Sequence, residues 1–130
     1  MVTGSKKLNI GLWVAQILLL VVYGAAGAMK ATQPIPMLDE MLGGWPGHAP
    51  ALARFIGVAE ILGAIGMVAP MLTGIKPRLT LWAASGLTLV QVLAIPFHVY
   101  RGEFEALPVN IVLIALSLFV LWGRGRKLPV

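Results

Sequence analysis

The stretch RFIGVAEILGAIGMVAPMLTGI, residues 54–75, decides the fold. Behind Arg54 it carries 21 residues with a single charged side chain, Glu60. About 20 apolar residues, rising about 1.5 Å each, cross the roughly 30 Å hydrocarbon layer of a bilayer, so the stretch reads as a membrane-spanning helix. A charged acid at such a depth costs at least about 2.5 kcal/mol against lipid, so Glu60 must face the interior of a bundle.

Working outward, three further apolar runs complete the bundle. The spans are read as about 8–29, 51–72, 79–100 and 107–123, the last only just long enough. The whole chain agrees: of its 130 residues 58% are hydrophobic and only 12% charged, beyond what a water-soluble domain can bury. The sequence therefore predicts one transmembrane domain, 1–130, an all-α integral membrane four-helix bundle. Heptad spacing on its faces predicts a left-handed one. Between helices 1 and 2, the segment 31–50 mixes prolines and glycines with Met37, Leu38, Met41, Leu42 and Trp45, which predicts a short interfacial segment over one mouth. Lys6, Lys7 and the following apolar core imitate a secretory signal, but that core outruns the roughly 7 to 15 residues of a signal peptide.

Charge sets the orientation. Lys6, Lys7, Lys76, Arg78, Arg124, Arg126 and Lys127 fall on one side with no acid, whereas Lys30, Arg54 and Arg101 share the other with Asp39, Glu40, Glu103 and Glu105. The positive-inside rule then places both termini in the cytoplasm and the protein in the cell (inner) membrane as a multi-pass chain. The net charge of +5 is explained by this sorting, with the lipid bilayer as partner and no nucleic acid.

Polar residues inside the spans repeat at sevens. Gln16, Tyr23 and Lys30 do so in the first, Gln91 and His98 in the third, Asn110 and Ser117 in the fourth. Side chains seven apart share one stripe of a packed helix, so these stripes can face each other. Helix 2 answers with Gly57, Glu60, Gly63, Ala64 and Met67, where small residues let backbones approach. By helical rise, Tyr23, Lys30, Glu60, Gln91, His98 and Asn110 converge in the non-cytoplasmic half. Two readings compete for this cluster: a structural polar core, or a pocket or proton relay open to that side. No catalytic motif is recognisable, and the absence of cysteine excludes thiolate chemistry by the chain itself. One intramembrane histidine and one glutamate are too few for a metal site, so none is expected. The cofactor stays open, with a quinone or a lipid as the candidates. Trp13, Trp82, Tyr100 and Trp122 fall near the expected interfaces as a belt.

The segments YGAAGAMK, ending at Lys30, FIGVAEILGAIGMVAP with Gly57, Glu60, Gly63 and Gly66, IPFHVYRGE with His98, and PVNIVLIAL with Asn110 resemble, in order and spacing, the DoxX family and its DoxX-like branch of small four-helix membrane proteins. The resemblance covers about Leu8 to Gly123 and implies the same bundle. It associates the chain with membrane subunits of thiosulfate:quinone oxidoreduction, with partners of membrane-bound thiol and superoxide defence, and with receptor chaperones. With no cysteine and no redox ligand, a non-catalytic accessory or interaction subunit fits best. The alternatives are a membrane subunit of a quinone-linked oxidoreductase whose head-group pocket is lined by Glu60, Lys30 and His98, and a small carrier. Small-residue faces at Gly27, Gly57, Gly63 and Gly66 serve helix packing and also suit a homodimer or a membrane oxidoreductase partner.

Overall fold

The computed structural model describes residues 2–130, with side chains from Ser5 onward. Six α-helices follow in order: α1 Val2–Thr32, α2 Ile35–Leu42, α3 Trp45–His48, α4 Pro50–Thr73, α5 Leu79–Tyr100 and α6 Leu107–Trp122. A 3-10 turn, Phe104–Ala106, precedes α6 and a π-turn, Gly123–Lys127, follows it. There is no strand among the described residues. The protein is an all-α membrane bundle whose four spans are Ser5–Thr32, Pro50–Thr73, Leu79–Tyr100 and Phe104–Lys127.

Spans adjacent in the sequence are neighbours in space. The α1 helix packs on α4, α4 on α5, α5 on α6, and α6 closes the ring on α1. The interior follows the sevenfold spacing: Leu12, Gln16, Leu19 and Tyr23 of α1 are buried, as are Ala53, Gly57, Glu60, Ala64 and Met67 of α4. From α5 come Thr80, Ala84, Leu87 and Gln91, and from α6 Asn110, Leu113, Ser117 and Val120. Outward positions such as Val21, Leu62, Leu93 and Ile111 are apolar and exposed, because lipid tails solvate them as well as a core would. The inside of this bundle is thus more polar than its outside.

Helix lengths differ for physical reasons. The 31 residues of α1 extend about 46 Å, well past the hydrocarbon layer, which leaves Lys6 and Lys7 exposed beyond it. The 16 residues of α6 reach only about 24 Å, and the π-turn supplies the rest of the span. Trp82 and Tyr100, 76% and 92% exposed, point away from the bundle as interface anchors do.

Pro70 lies inside α4. Lacking an N–H, it leaves the carbonyl of Gly66, four residues back, without its helical donor. Thr80 of α5 replaces that donor, its hydroxyl giving a 2.8 Å bond to the Gly66 oxygen. A helix break is thereby turned into an interhelical link.

The connection between α1 and α4 is built as a cap. The α2 helix ends at Gly43, whose φ of 82° only glycine adopts without strain. The Asp39 carboxylate accepts a 2.6 Å bond from the Gly47 amide, fixing α3 against α2. Leu38 and Pro46 are buried beneath them, while Met37 and Met41 stay exposed.

Candidate functional site

The site starts from two glycines. A Cβ on Gly27 would lie 2.7 Å from the Gly57 carbonyl oxygen, and one on Gly57 would lie 2.6 Å from the Ala31 nitrogen and 2.8 Å from the Gly27 oxygen. Only glycine at both positions lets α1 and α4 touch backbone to backbone. Three residues further along each helix stand Lys30 and Glu60, on the same faces. Their Nζ and Oε1 meet at 2.7 Å, with the side chains 17% and 3% exposed. Arg54 adds a 3.0 Å bond from Nη1 to the Lys30 carbonyl oxygen, holding the end of α1 to the start of α4.

A second pair joins the other two spans. The Asn110 side-chain amide of α6 donates to Oε1 of Gln91 in α5, and both residues are 6% exposed. Tyr23, 1% exposed and seven residues inward of Lys30, stands beside Gln91 and within electrostatic reach of Glu60. The Tyr23 hydroxyl and the Asn110 carbonyl oxygen are buried with no hydrogen-bond partner among the described residues.

His98 belongs to a different group, at the mouth. Its Nδ1 lies 3.1 Å from Oε1 of Glu103, which also takes the Arg101 Nε at 3.2 Å. Arg101 in turn donates to the Gly43 carbonyl oxygen of the cap and lies over the Phe97 ring at 5.6 Å. Trp45 of α3 packs edge-on against Phe97, ring centres 5.7 Å apart. The cap is pinned to the α5–α6 turn by these contacts. Of the six residues expected to converge, five lie at the Lys30–Glu60 and Gln91–Asn110 pairs, and His98 serves the cap instead.

The small residues also divide. Gly57 and Ala64 face α1, where a Cβ on Gly24 would lie 3.9 Å from that of Ala64. Gly63 presses on the Leu87 side chain and Gly66 on the Ala83 Cβ, so those two seat α5. Among the described residues no group of three histidines, cysteines or acids converges as a metal site.

Two interior residues were missed by sequence reasoning. Asn9 lies seven before Gln16, and Arg124 seven after Ser117; each extends a polar stripe by one more heptad. Arg124 is 3% exposed and bonds to both Gln16 and Asn9, across to α1. The signal was the same periodicity, hidden because Arg124 stands in a basic terminal run that reads as solvated charge.

These features define a class: a small multi-pass membrane protein of four spans around a paired polar interior. The chain matches the model of the DoxX-like family over residues 14–120, most of its length, and belongs to that family. No curated protein matches the chain, and no solved structure does.

Proposed function

We propose that the protein is a non-catalytic accessory or interaction subunit of a membrane complex, in which the polar interior serves as a lock between helices. The observation that carries this reading is the Lys30–Glu60 pair: two charges 2.7 Å apart, nearly enclosed and satisfying each other. A catalytic or transporting glutamate needs access to what it acts on. A concavity of about 750 Å³ lies instead on the lipid-facing surface between α4 and α5, walled by Leu62, Ile65, Trp82 and Gly86. Seven basic residues at the end that carries no acid support cytoplasmic termini and a cell (inner) membrane location.

A second reading is favoured by one observation. The Tyr23 hydroxyl and the Asn110 side-chain oxygen, both buried and without partners among the described residues, offer a donor and an acceptor to a quinone head group. On that reading the partner is a quinone-linked oxidoreductase.

Purified wild type and Glu60→Gln separate the two by folded yield and by binding of a quinone panel. The accessory reading expects a loss of folded protein in the variant and no quinone bound by either. A variant that stays folded but loses a quinone held by wild type would overturn it. Topology is tested by a single cysteine at Ser5, since the chain has none of its own. Labelling from the cytoplasmic side is expected, and labelling from outside the cell would contradict the orientation.

A further inference from the structure

The opposite end of the bundle holds a buried cation that pairs with no carboxylate among the described residues. All five acids of the sequence, Asp39, Glu40, Glu60, Glu103 and Glu105, lie in the half that carries the cap. Arg124 is nevertheless 3% exposed, at the far end of α6. Its guanidinium is held in one orientation: Nε donates to Oε1 of Gln16 at 2.8 Å, Nη1 donates to Oδ1 of Asn9 at 2.8 Å, and Cζ lies 5.4 Å from the centre of the Trp13 ring. Gln16 cannot turn over, because its own amide donates to the Met67 carbonyl oxygen at 2.6 Å. The third nitrogen, Nη2, is buried and has no partner among the described residues.

The local backbone is shaped to bring the arginine in. A Cβ on Gly123 would run into the Leu12 side chain, so the chain hugs α1 there. The π-turn follows, closed by a 2.7 Å bond from the Leu128 amide to the Gly123 oxygen, and such wide turns re-aim side chains at functional sites. On α1, Asn9, Trp13 and Gln16 form the stripe that receives Arg124, and Lys6 is the next position of that stripe towards the surface. Lys127 covers Trp122 at the same end. A buried guanidinium whose partners are neutral amides and whose Nη2 is unanswered is poorly compensated unless an anion completes it. A charged N–H donor such as Nη2 suits a phosphate oxygen, and basic pockets between spanning helices take phospholipid head groups.

We propose that Arg124, backed by Asn9 and Gln16 and approached past Lys6, binds the phosphate of an anionic phospholipid between α1 and the end of α6. Lipid phosphate is favoured over free phosphate because the cation lies within a membrane span, beside Trp13 at the level where head groups meet tails.

The test uses lipid-stripped wild type, Arg124→Gln, Arg126→Gln and Asn9→Asp in a neutral detergent. Each is titrated with phosphatidylglycerol, phosphatidylcholine or inorganic phosphate while the thermal midpoint is followed. Wild type and Arg126→Gln are expected to be stabilised by phosphatidylglycerol alone, and Arg124→Gln to bind it on the order of tenfold more weakly. Asn9→Asp places a carboxylate against the guanidinium and keeps the fold testable if Arg124→Gln does not fold. It is expected to be more stable than wild type without lipid and to lose most of the response to phosphatidylglycerol. A full response in Asn9→Asp or Arg124→Gln would overturn the site. An equal response to inorganic phosphate would overturn the lipid assignment, and an equal response to phosphatidylcholine would overturn both.

Discussion

Lys30 and Glu60 stand one helical turn to either side of the crossing where Gly27 and Gly57 bring two antiparallel backbones into contact, and their side chains meet across it. The close crossing sets the distance between α1 and α4, and that distance fixes whether the two charges can reach each other. The glycines and the ion pair are therefore one device. A larger residue at the crossing and a neutral residue at the pair should damage the same interface.

The crossing can be tested alone. Gly57→Ala puts a methyl group within 2.6 to 2.8 Å of the backbone of α1, which cannot give way as a flexible side chain would. A loss of about 1–3 kcal/mol is expected in unfolding measured in detergent. Gly86→Ala is the control, since a Cβ there meets nothing within 4 Å, and it should be neutral or slightly stabilising through reduced chain entropy.

The repaired break in α4 makes a second expectation. Thr80→Val removes the donor that answers the Gly66 carbonyl oxygen and should cost about 1 kcal/mol. Pro70→Ala restores an N–H within α4. In that background the cost of Thr80→Val should fall by half or more, so equal costs in both backgrounds would refute the link.

The cap should loosen when its pin is cut. Arg101 ties the Gly43 carbonyl oxygen to Glu103, and Arg101→Ala releases that tie. A cysteine introduced at Leu38, a fully buried position, reports on opening through its rate of thiol labelling. The rate should rise on the order of tenfold with Arg101→Ala, as expected from loss of a charge-assisted hydrogen bond. An unchanged rate would mean that the Trp45–Phe97 contact holds the cap unaided.

Much of the fold is legible in the sequence. Four apolar runs of spanning length force four helices, and polar residues at sevens force inward stripes, because lipid penalises any other placement. The sevenfold rule brought Tyr23, Gln91 and Asn110 inward. It stopped too early at both ends of the bundle, where Asn9 and Arg124 look like ordinary flanking residues. His98 obeys the period of its helix, yet Glu103, only five residues on, is its neighbour across the turn. Local sequence separation decided that contact, and periodicity is blind to it. The spacing of small residues in α4 predicts one face, but residues three apart drift around the helix by about 60° from a full turn, so Gly63 and Gly66 reach α5 instead.

The central claim is that Lys30 and Glu60 exist for each other. The most direct measurement is a double-mutant cycle of Lys30→Met and Glu60→Gln, read by unfolding in detergent. Each single variant strands one buried charge or leaves its site half-empty, and each should lose about 3 kcal/mol, while the double variant should lose clearly less than the sum. Coupling of about 1.5 kcal/mol or more is the result expected. Single losses that simply add would show that the two residues act independently, and would contradict the account.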